Sequence, residues 1–194
     1  MLSPALTQRI NEWLEAAKVA VAVGDYNAMS LATSDSHGQP SVRIVLLKGF
    51  DARGFVFYTN LHSRKSEELR QNAKASLCFH WPALGRQLRV DGHVETVSAQ
   101  EADAYFATRP RGSQIGAWSS HQSQVLPERG ELLAAIDEHE KRFEGADVPR
   151  PEFWSGWRVK PHAIEFWHSG DFRIHERELY THVNGGWQKR ELYP

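Results

Sequence analysis

The chain has 194 residues, 41% hydrophobic and 24% charged, with a formal net charge of -1. That is the composition of one globular domain with a substantial core, and it gives no global reason to expect nucleic acid or an acidic membrane surface as partner, so any anion site is local. The single cysteine, Cys78, excludes an internal disulfide and a Cys-based zinc knuckle; no apolar run nears the about 18 residues of a membrane span and no signal-peptide core opens the chain, so a cytoplasmic protein is expected.

In chain order, Ser3-Pro4 supplies a cap and a first-turn proline. Leu6, Ile10, Trp13, Leu14 and Ala17 follow at helical spacing until Gly24. Ala28 to Thr33 reads as a strand, and residues 34–40 are a dense turn cluster. Arg43 to Lys48 is an apolar run with a cation at each end. Asp51-Ala-Arg-Gly54 then hands over to Phe55-Val-Phe-Tyr-Thr59, so this stretch reads as a hairpin of two buried strands feeding a polar helix from Ser63-Arg-Lys65. Lys74 to Trp81 and Arg86 to Val97 alternate as further strands. Five strands in under 100 residues imply a barrel or sandwich.

Ser98-Ala-Gln-Glu101 is a capping box, and Ala102, Tyr105 and Phe106 form one face of its helix, which Arg109-Pro-Arg-Gly-Ser113 ends. A short helical piece spans Gln114 to Trp118. A helix from Pro127 to Phe143 carries Leu132, Leu133, Ile136 and Phe143 as its stripe. Strands return at Trp157 to Lys160, Ala163 to Trp167, Phe172 to Tyr180 and after the Asn184-Gly-Gly186 turn. The expected fold is mainly β with flanking helices, an antiparallel barrel.

Several chemistries are set aside. No His-Glu-x-x-His, facial triad or Cys/His spacing appears among the ten histidines, so no metal is expected; no Gly-x-Gly-x-x-Gly, Walker sequence or Gly-x-Ser-x-Gly elbow is present. A distributed set of cations, amides and hydroxyls remains: Arg43, Lys48, Arg64, Lys65, Gln87, Arg109, Ser113, Gln122, Ser123, Arg173, His175 and Arg177. Two phosphate-sized clusters can be assembled from them. Ser63 to Lys65 puts backbone N–H groups, a hydroxyl and two cations at one helix start, with Arg43 as a further cation. Each piece also has a plainer reading. Ser-Arg-Lys describes a capped surface helix, Arg109-Pro-Arg an exposed basic loop, Trp167 a core residue, and His175 and Arg177 solvated strand residues.

Six blocks lift the pattern above its parts: Arg43-Ile-Val-Leu-Leu-Lys48, Phe55-Val-Phe-Tyr-Thr-Asn60, Ser63-Arg-Lys65, Arg109-Pro-Arg-Gly-Ser-Gln-Ile-Gly-Ala-Trp118, Gln122-Ser123 and Arg173-Ile-His-Glu-Arg177. In this order across nearly the whole chain, they resemble the pyridoxine (pyridoxamine) 5′-phosphate oxidase family. The resemblance implies a single FMN-binding split-barrel domain over residues 1–194, with residues 154–194 as a C-terminal dimerisation and active-site β segment, and FMN at a homodimer interface. It implies oxidation of pyridoxamine and pyridoxine 5′-phosphates at C4′ to pyridoxal 5′-phosphate, by hydride transfer to the flavin N5, with O2 reduced to hydrogen peroxide.

By position, the implied FMN contacts are Arg43, Ile44, Val45, Leu46, Leu47, Lys48, Tyr58, Thr59, Arg64, Lys65, Gln87, Gln122, Ser123, Trp167 and Arg177. The implied vitamer contacts are Lys48, Tyr105, Arg109, Ser113, Arg173 and His175, the last two being the catalytic pair. Arg173 and His175 alternate with Ile174 on an expected strand and so share a side. Members of the family carry a longer N-terminal arm with an Arg and a Tyr near the substrate; the first helix here is expected at about Pro4, and no residue is assigned that lid role. An oxidase of the same fold acting on a phenazine precursor, and a non-catalytic flavin or pyridoxal phosphate carrier, are the alternatives.

Overall fold

In the computed structural model, which describes residues 1–194, the chain opens with helix α1 (Pro4–Ala20). Ser3 caps it as its spacing predicts, its hydroxyl accepting from the Leu6 amide, and Leu6, Ile10, Trp13, Leu14 and Ala17 are buried. Strands β1 (Ala28–Ser34), β2 (Pro40–Leu46), β3 (Gly49–Asp51) and β4 (Gly54–Asn60) follow, then helix α2 (Arg64–Gln71), β5 (Lys74–Trp81) and β6 (Arg86–Thr96). Helices α3 (Ala99–Ala107), α4 (Arg111–Ser119) and α5 (Arg129–Arg142) precede β7 (Trp154–His168), β8 (Glu176–Val183) and β9 (Gly186–Glu191). The contacts divide the chain into two compact units. The first is Met1–Phe57, Glu68–Glu95 and Arg158–Pro194; the second is Tyr58–Glu67 and Thr96–Trp157.

The first unit is organised by an antiparallel sheet in the order β2-β1-β5-β6-β7-β4-β3, with β8 beside β7 and β9 beside β8. Inward residues alternate along its strands: Leu31, Leu77, Phe79, Leu88, Val90, Ile164 and Phe166 are all at most 2% exposed. Trp13 of α1 meets Phe166 edge-on at 4.9 Å, and the Arg9 guanidinium lies 4.1 Å from the Phe166 ring centre while pairing with Glu178. Two glycines set how closely the central strands approach. A Cβ on Gly54 (φ +137°) would run into the Val159 carbonyl, and one on Gly92 would sit 2.5 Å from the Lys160 carbonyl oxygen.

The hairpin expected between the 43–48 run and the 55–59 run is not formed. Pro40–Leu46 pairs with β1, register Ala28↔Leu46 to Ser34↔Pro40, through a turn in which Asp35 Oδ1 accepts from the His37 and Gln39 amides. The Asp51–Gly54 turn instead joins β4 to the short β3. Only one of the two runs is buried. β4 is buried along nearly its whole length, whereas β2 lies at one end of the strand order and leaves Val42 and Ile44 exposed. The expected strands at 157–160 and 163–167 are one strand, β7, because Pro161 removes only the ladder bond its missing N–H would have made. Cys78, on β5, is half-buried, and burial pushes its thiol above the ordinary cysteine range.

Arg43 projects from β2 into a buried polar network of the same unit. Its Nη1 donates to the Leu31 carbonyl at 3.2 Å and to Thr33 Oγ1 at 2.5 Å; its Nη2 donates to Ser41 Oγ at 2.5 Å and faces Glu68 Oε2 at 3.3 Å. Glu68 is 4% exposed and also accepts from the Thr33 and Ser41 hydroxyls.

The second unit packs Phe106, Ile115, Phe143, Val148 and Trp154, with Tyr58, Tyr105, Ala117, Trp118 and Ile136 against them. The capping box is present, with Ser98 and Glu101 bonding each other's backbone N–H. Residues 109–113 do not simply end α3. Arg109 and Pro110 form the junction, and Arg111 to Ser113 are already the first turn of α4. Within α5, Ile136 joins the core but Leu133 is 52% exposed, so the expected stripe is only partly used.

Removing Glu68 leaves Arg43, Thr33 and Ser41 donors unanswered in a buried place. Glu68→Ala is therefore expected to lower unfolding free energy by about 3 kcal/mol, read by urea denaturation. A loss below about 1 kcal/mol, the range of an exposed pair, would show that the network contributes little.

Candidate functional site

In the second unit, three side chains far apart in sequence converge. Lys65 Nζ, on the first turn of α2, lies 3.1 Å from both Thr59 Oγ1 and Gln122 Oε1, and Thr59 donates to Gln122 at 2.9 Å. Thr59 is held by the buried end of β4, and Gln122 comes from the loop after α4, where Ser123 adopts a left-handed backbone (φ 73°). An ammonium, a hydroxyl and an amide at one point are polar groups of the kind that a phosphate and a polyol chain require. Arg64 and Ser63 flank this point differently. Arg64 is exposed, whereas Ser63 is fully buried with its hydroxyl turned to Ser66, so its side chain is structural.

Beside these residues in chain order, Tyr58 begins an aromatic ladder. Its ring stacks on Tyr105 at 4.2 Å and on Trp154 at 5.3 Å, with interplanar angles of 14° and 4°. A Cβ on Gly156 would come within 2.8 Å of the Tyr58 ring, so glycine leaves the space in which the ladder forms. Trp154 and Gly156 escaped the sequence reading; the Trp-Ser-Gly-Trp run at 154–157 was the available signal.

Arg109 lies over the ladder, its guanidinium carbon 4.7 Å from the Trp154 ring centre and 5.4 Å from that of Phe106. Its Nη1 is buried and has no hydrogen-bond partner. Burial lowers the Arg109 pKa from the usual guanidinium value and raises that of the Tyr105 phenol; an arginine remains a cation at neutral pH. A half-buried cation with one buried, unanswered N–H group is an arrangement that an anion would satisfy. Ser113 is exposed in the first turn of α4, so Tyr105, Arg109 and Ser113 occupy α3, the junction and α4 in turn.

The first unit holds the remaining expected residues. Ile44, Val45 and Leu46 lie on β2 with Arg43; Leu47 is buried and Lys48 exposed just beyond it. The Arg43 guanidinium is occupied by the Glu68 network, on four of its N–H directions, rather than held open. Gln87 sits on β6 opposite His80. Trp167 and Arg177 are cross-strand partners on β7 and β8. Arg177 Nε donates to the buried Glu165 at 2.8 Å, a bond that raises the Arg177 pKa.

Arg173 and His175 are not on a strand. The expected strand from Phe172 begins only at Glu176, and Asp171–Arg173 is a single 3₁₀ turn in which Phe172 (φ 56°) and Arg173 (φ 66°) are both left-handed. The alternation argument for their common side therefore fails. A glycine at 170 explains the difference, because its bare Cα lets the backbone fold onto the Ile174 carbonyl, where any Cβ would collide. His175 packs on Trp167, ring centres 4.6 Å apart.

The family model described as pyridoxamine 5′-phosphate oxidase matches residues 6–143, and the one described as the pyridoxine 5′-phosphate oxidase C-terminal dimerisation region matches residues 154–194. A pyridoxine/pyridoxamine 5′-phosphate oxidase of Myxococcus xanthus (strain DK1622) is 54% identical over 194 residues, covering 100% of this chain and 94% of that protein. One from Chelativorans sp. (strain BNC1) is 52% identical over 184 residues, covering 94% and 88%. The crystal structure of PhzG from Burkholderia lata 383, in complex with tetrahydrophenazine-1-carboxylic acid, superposes with a TM-score of 0.92 at 31% identity, covering 100% of this chain and 98% of that one. The curled antiparallel sheet is thus a split-barrel half, and by sequence along its whole length the chain belongs to the pyridoxamine 5′-phosphate oxidase family.

Proposed function

We propose that this chain is an FMN-dependent oxidase that converts pyridoxamine 5′-phosphate and pyridoxine 5′-phosphate at C4′ to pyridoxal 5′-phosphate, reduces O2 to hydrogen peroxide, and works as a cytoplasmic homodimer with FMN at the interface. The observation that carries the reading is Arg109. A guanidinium laid on Trp154 with a buried, unanswered N–H suits the phosphate of a flat aromatic substrate, and the relatives that share the chain at 52–54% identity bear the corresponding name. The dimerisation model over residues 154–194 supports the homodimer.

FMN, when bound, supplies the hydride acceptor and the reaction with O2. The residues present fit it. Lys65 Nζ gathers Thr59 and Gln122 around one cation, so Lys65, Thr59 and Gln122, with Arg64 and Ser123, take the phosphate and the polar chain. Tyr58, Gln87, Trp167, Arg177 and the run from Arg43 to Lys48 are further FMN contacts in this reading, with Arg43 contributing chiefly through the backbone that its Glu68 network fixes. Tyr105, Arg109 and Ser113 hold the vitamer phosphate, with Lys48; Arg173 and His175 hold its reactive end. By binding the phosphate remotely, these residues fix the orientation of C4′, which is where proximity lowers the barrier.

Purified yellow protein given pyridoxamine 5′-phosphate is expected to release peroxide. Turnover of a phenazine precursor without turnover of the vitamer would favour the sister oxidase, and bound flavin with neither activity would mean a carrier. Lys65→Ala is expected to weaken FMN binding at least about tenfold, close to 1.4 kcal/mol, in a flavin-fluorescence titration. Arg109→Ala should keep its flavin and lose at least about tenfold in kcat/KM for the phosphorylated vitamers; unchanged kcat/KM would remove Arg109 from the substrate site.

A further inference from the structure

The loop between β7 and β8 fixes more than the position of His175. The Gly170 backbone N–H donates to His175 Nδ1 at 3.2 Å. A backbone N–H can only donate, so the nitrogen facing it must carry a lone pair and not a proton. A neutral imidazole with its Nδ1 so engaged carries its hydrogen on Nε2. An imidazolium would set two N–H groups against each other, so protonation of His175 and this bond exclude one another.

The loop around the bond is over-determined. Gly170 has an ordinary extended backbone (φ -119°), so glycine is required there for space, against the Ile174 carbonyl. The Ile174 N–H returns to the Asp171 carbonyl at 2.9 Å, the Ser169 N–H donates to the Gly85 carbonyl at 2.8 Å, and the Trp167 ring packs at a tilt against the imidazole. Phe172 and Arg173 hold left-handed conformations between these anchors. Asp171, Arg173, Glu176 and Arg177 are the charged residues of this turn and the strand start it feeds; Glu165 and Arg89 lie behind Arg177 on β7 and β6.

We propose that the Gly170 amide is a positioning group that locks His175 as the Nε2–H tautomer, so that the imidazole meets the substrate as a hydrogen-bond donor through Nε2 and does not serve as a base through that atom. The identity of the substrate rests on the oxidase reading above; the tautomer does not. A donor at Nε2 selects a lone pair on the vitamer, from an oxygen or an unprotonated nitrogen, and disfavours an ammonium there.

Two substitutions separate the two nitrogens. His175→Asn places an amide oxygen where Nδ1 stands and loses the outward donor, whereas His175→Gln can supply an outward N–H but no acceptor for Gly170. In the FMN-loaded protein at about pH 8, above the ordinary histidine range, long-range ¹H–¹⁵N correlation of histidine-labelled protein is expected to show His175 with Nδ1 unprotonated. Its signals are assigned by their disappearance in His175→Asn. Hydrogen exchange at the Gly170 amide is expected to stay slow in His175→Asn and to quicken at least about tenfold in His175→Gln, while kcat/KM falls in His175→Asn with FMN retained. An Nδ1–H tautomer, or equal Gly170 exchange in all three proteins, overturns the proposal. A correct tautomer in a protein that oxidises no vitamer upholds it and refutes the oxidase reading instead.

Discussion

The sheet depends on how near β4 and β6 come to β7. At Gly54 and Gly92 the backbone of each neighbour meets the Val159 and Lys160 carbonyls with no room for a side chain. Two consecutive carbonyls are thus packed by two different strands, which pins β7 between them in a single register. Everything that later matters on β7 in this unit, from the Arg158 guanidinium beside Asp51 to the Trp167 ring against His175, inherits its place from that contact.

Around this frame the protein uses charged groups in two distinct ways. Arg43 and Arg177 are held by buried carboxylates, Glu68 and Glu165, and their geometry is settled within the protein. Arg109 is differently disposed. It buries a nitrogen that nothing in the protein answers. Charge that is satisfied stabilises the scaffold; charge that is left wanting marks where an anion belongs.

Local signals were well read from the sequence. Ser3 as a cap, the Ser98 capping box, and the strands around Leu31, Leu77 and Leu88 all follow from neighbours within a few residues. What failed was non-local. Nothing near Val45 says that its partner is Met29 and not a residue of β4. Phe172 to Tyr180 has the aromatic and β-branched content of a strand, and only the missing side chain at Gly170 lets it turn instead. The site divides in the same way. Residue types and order carried the family, but the meeting of Lys65, Thr59 and Gln122 spans 63 positions, and the occupation of Arg43 by Glu68 joins residues 25 apart.

The lone thiol offers a last consequence. Sulfur is attacked by oxidants in its anionic form, and the setting of Cys78 on β5 keeps that form scarce. A protein built this way can work beside reactive oxygen without recruiting its own sulfur as a scavenger, and cross-linking of copies through that atom is disfavoured by the same half-buried placement.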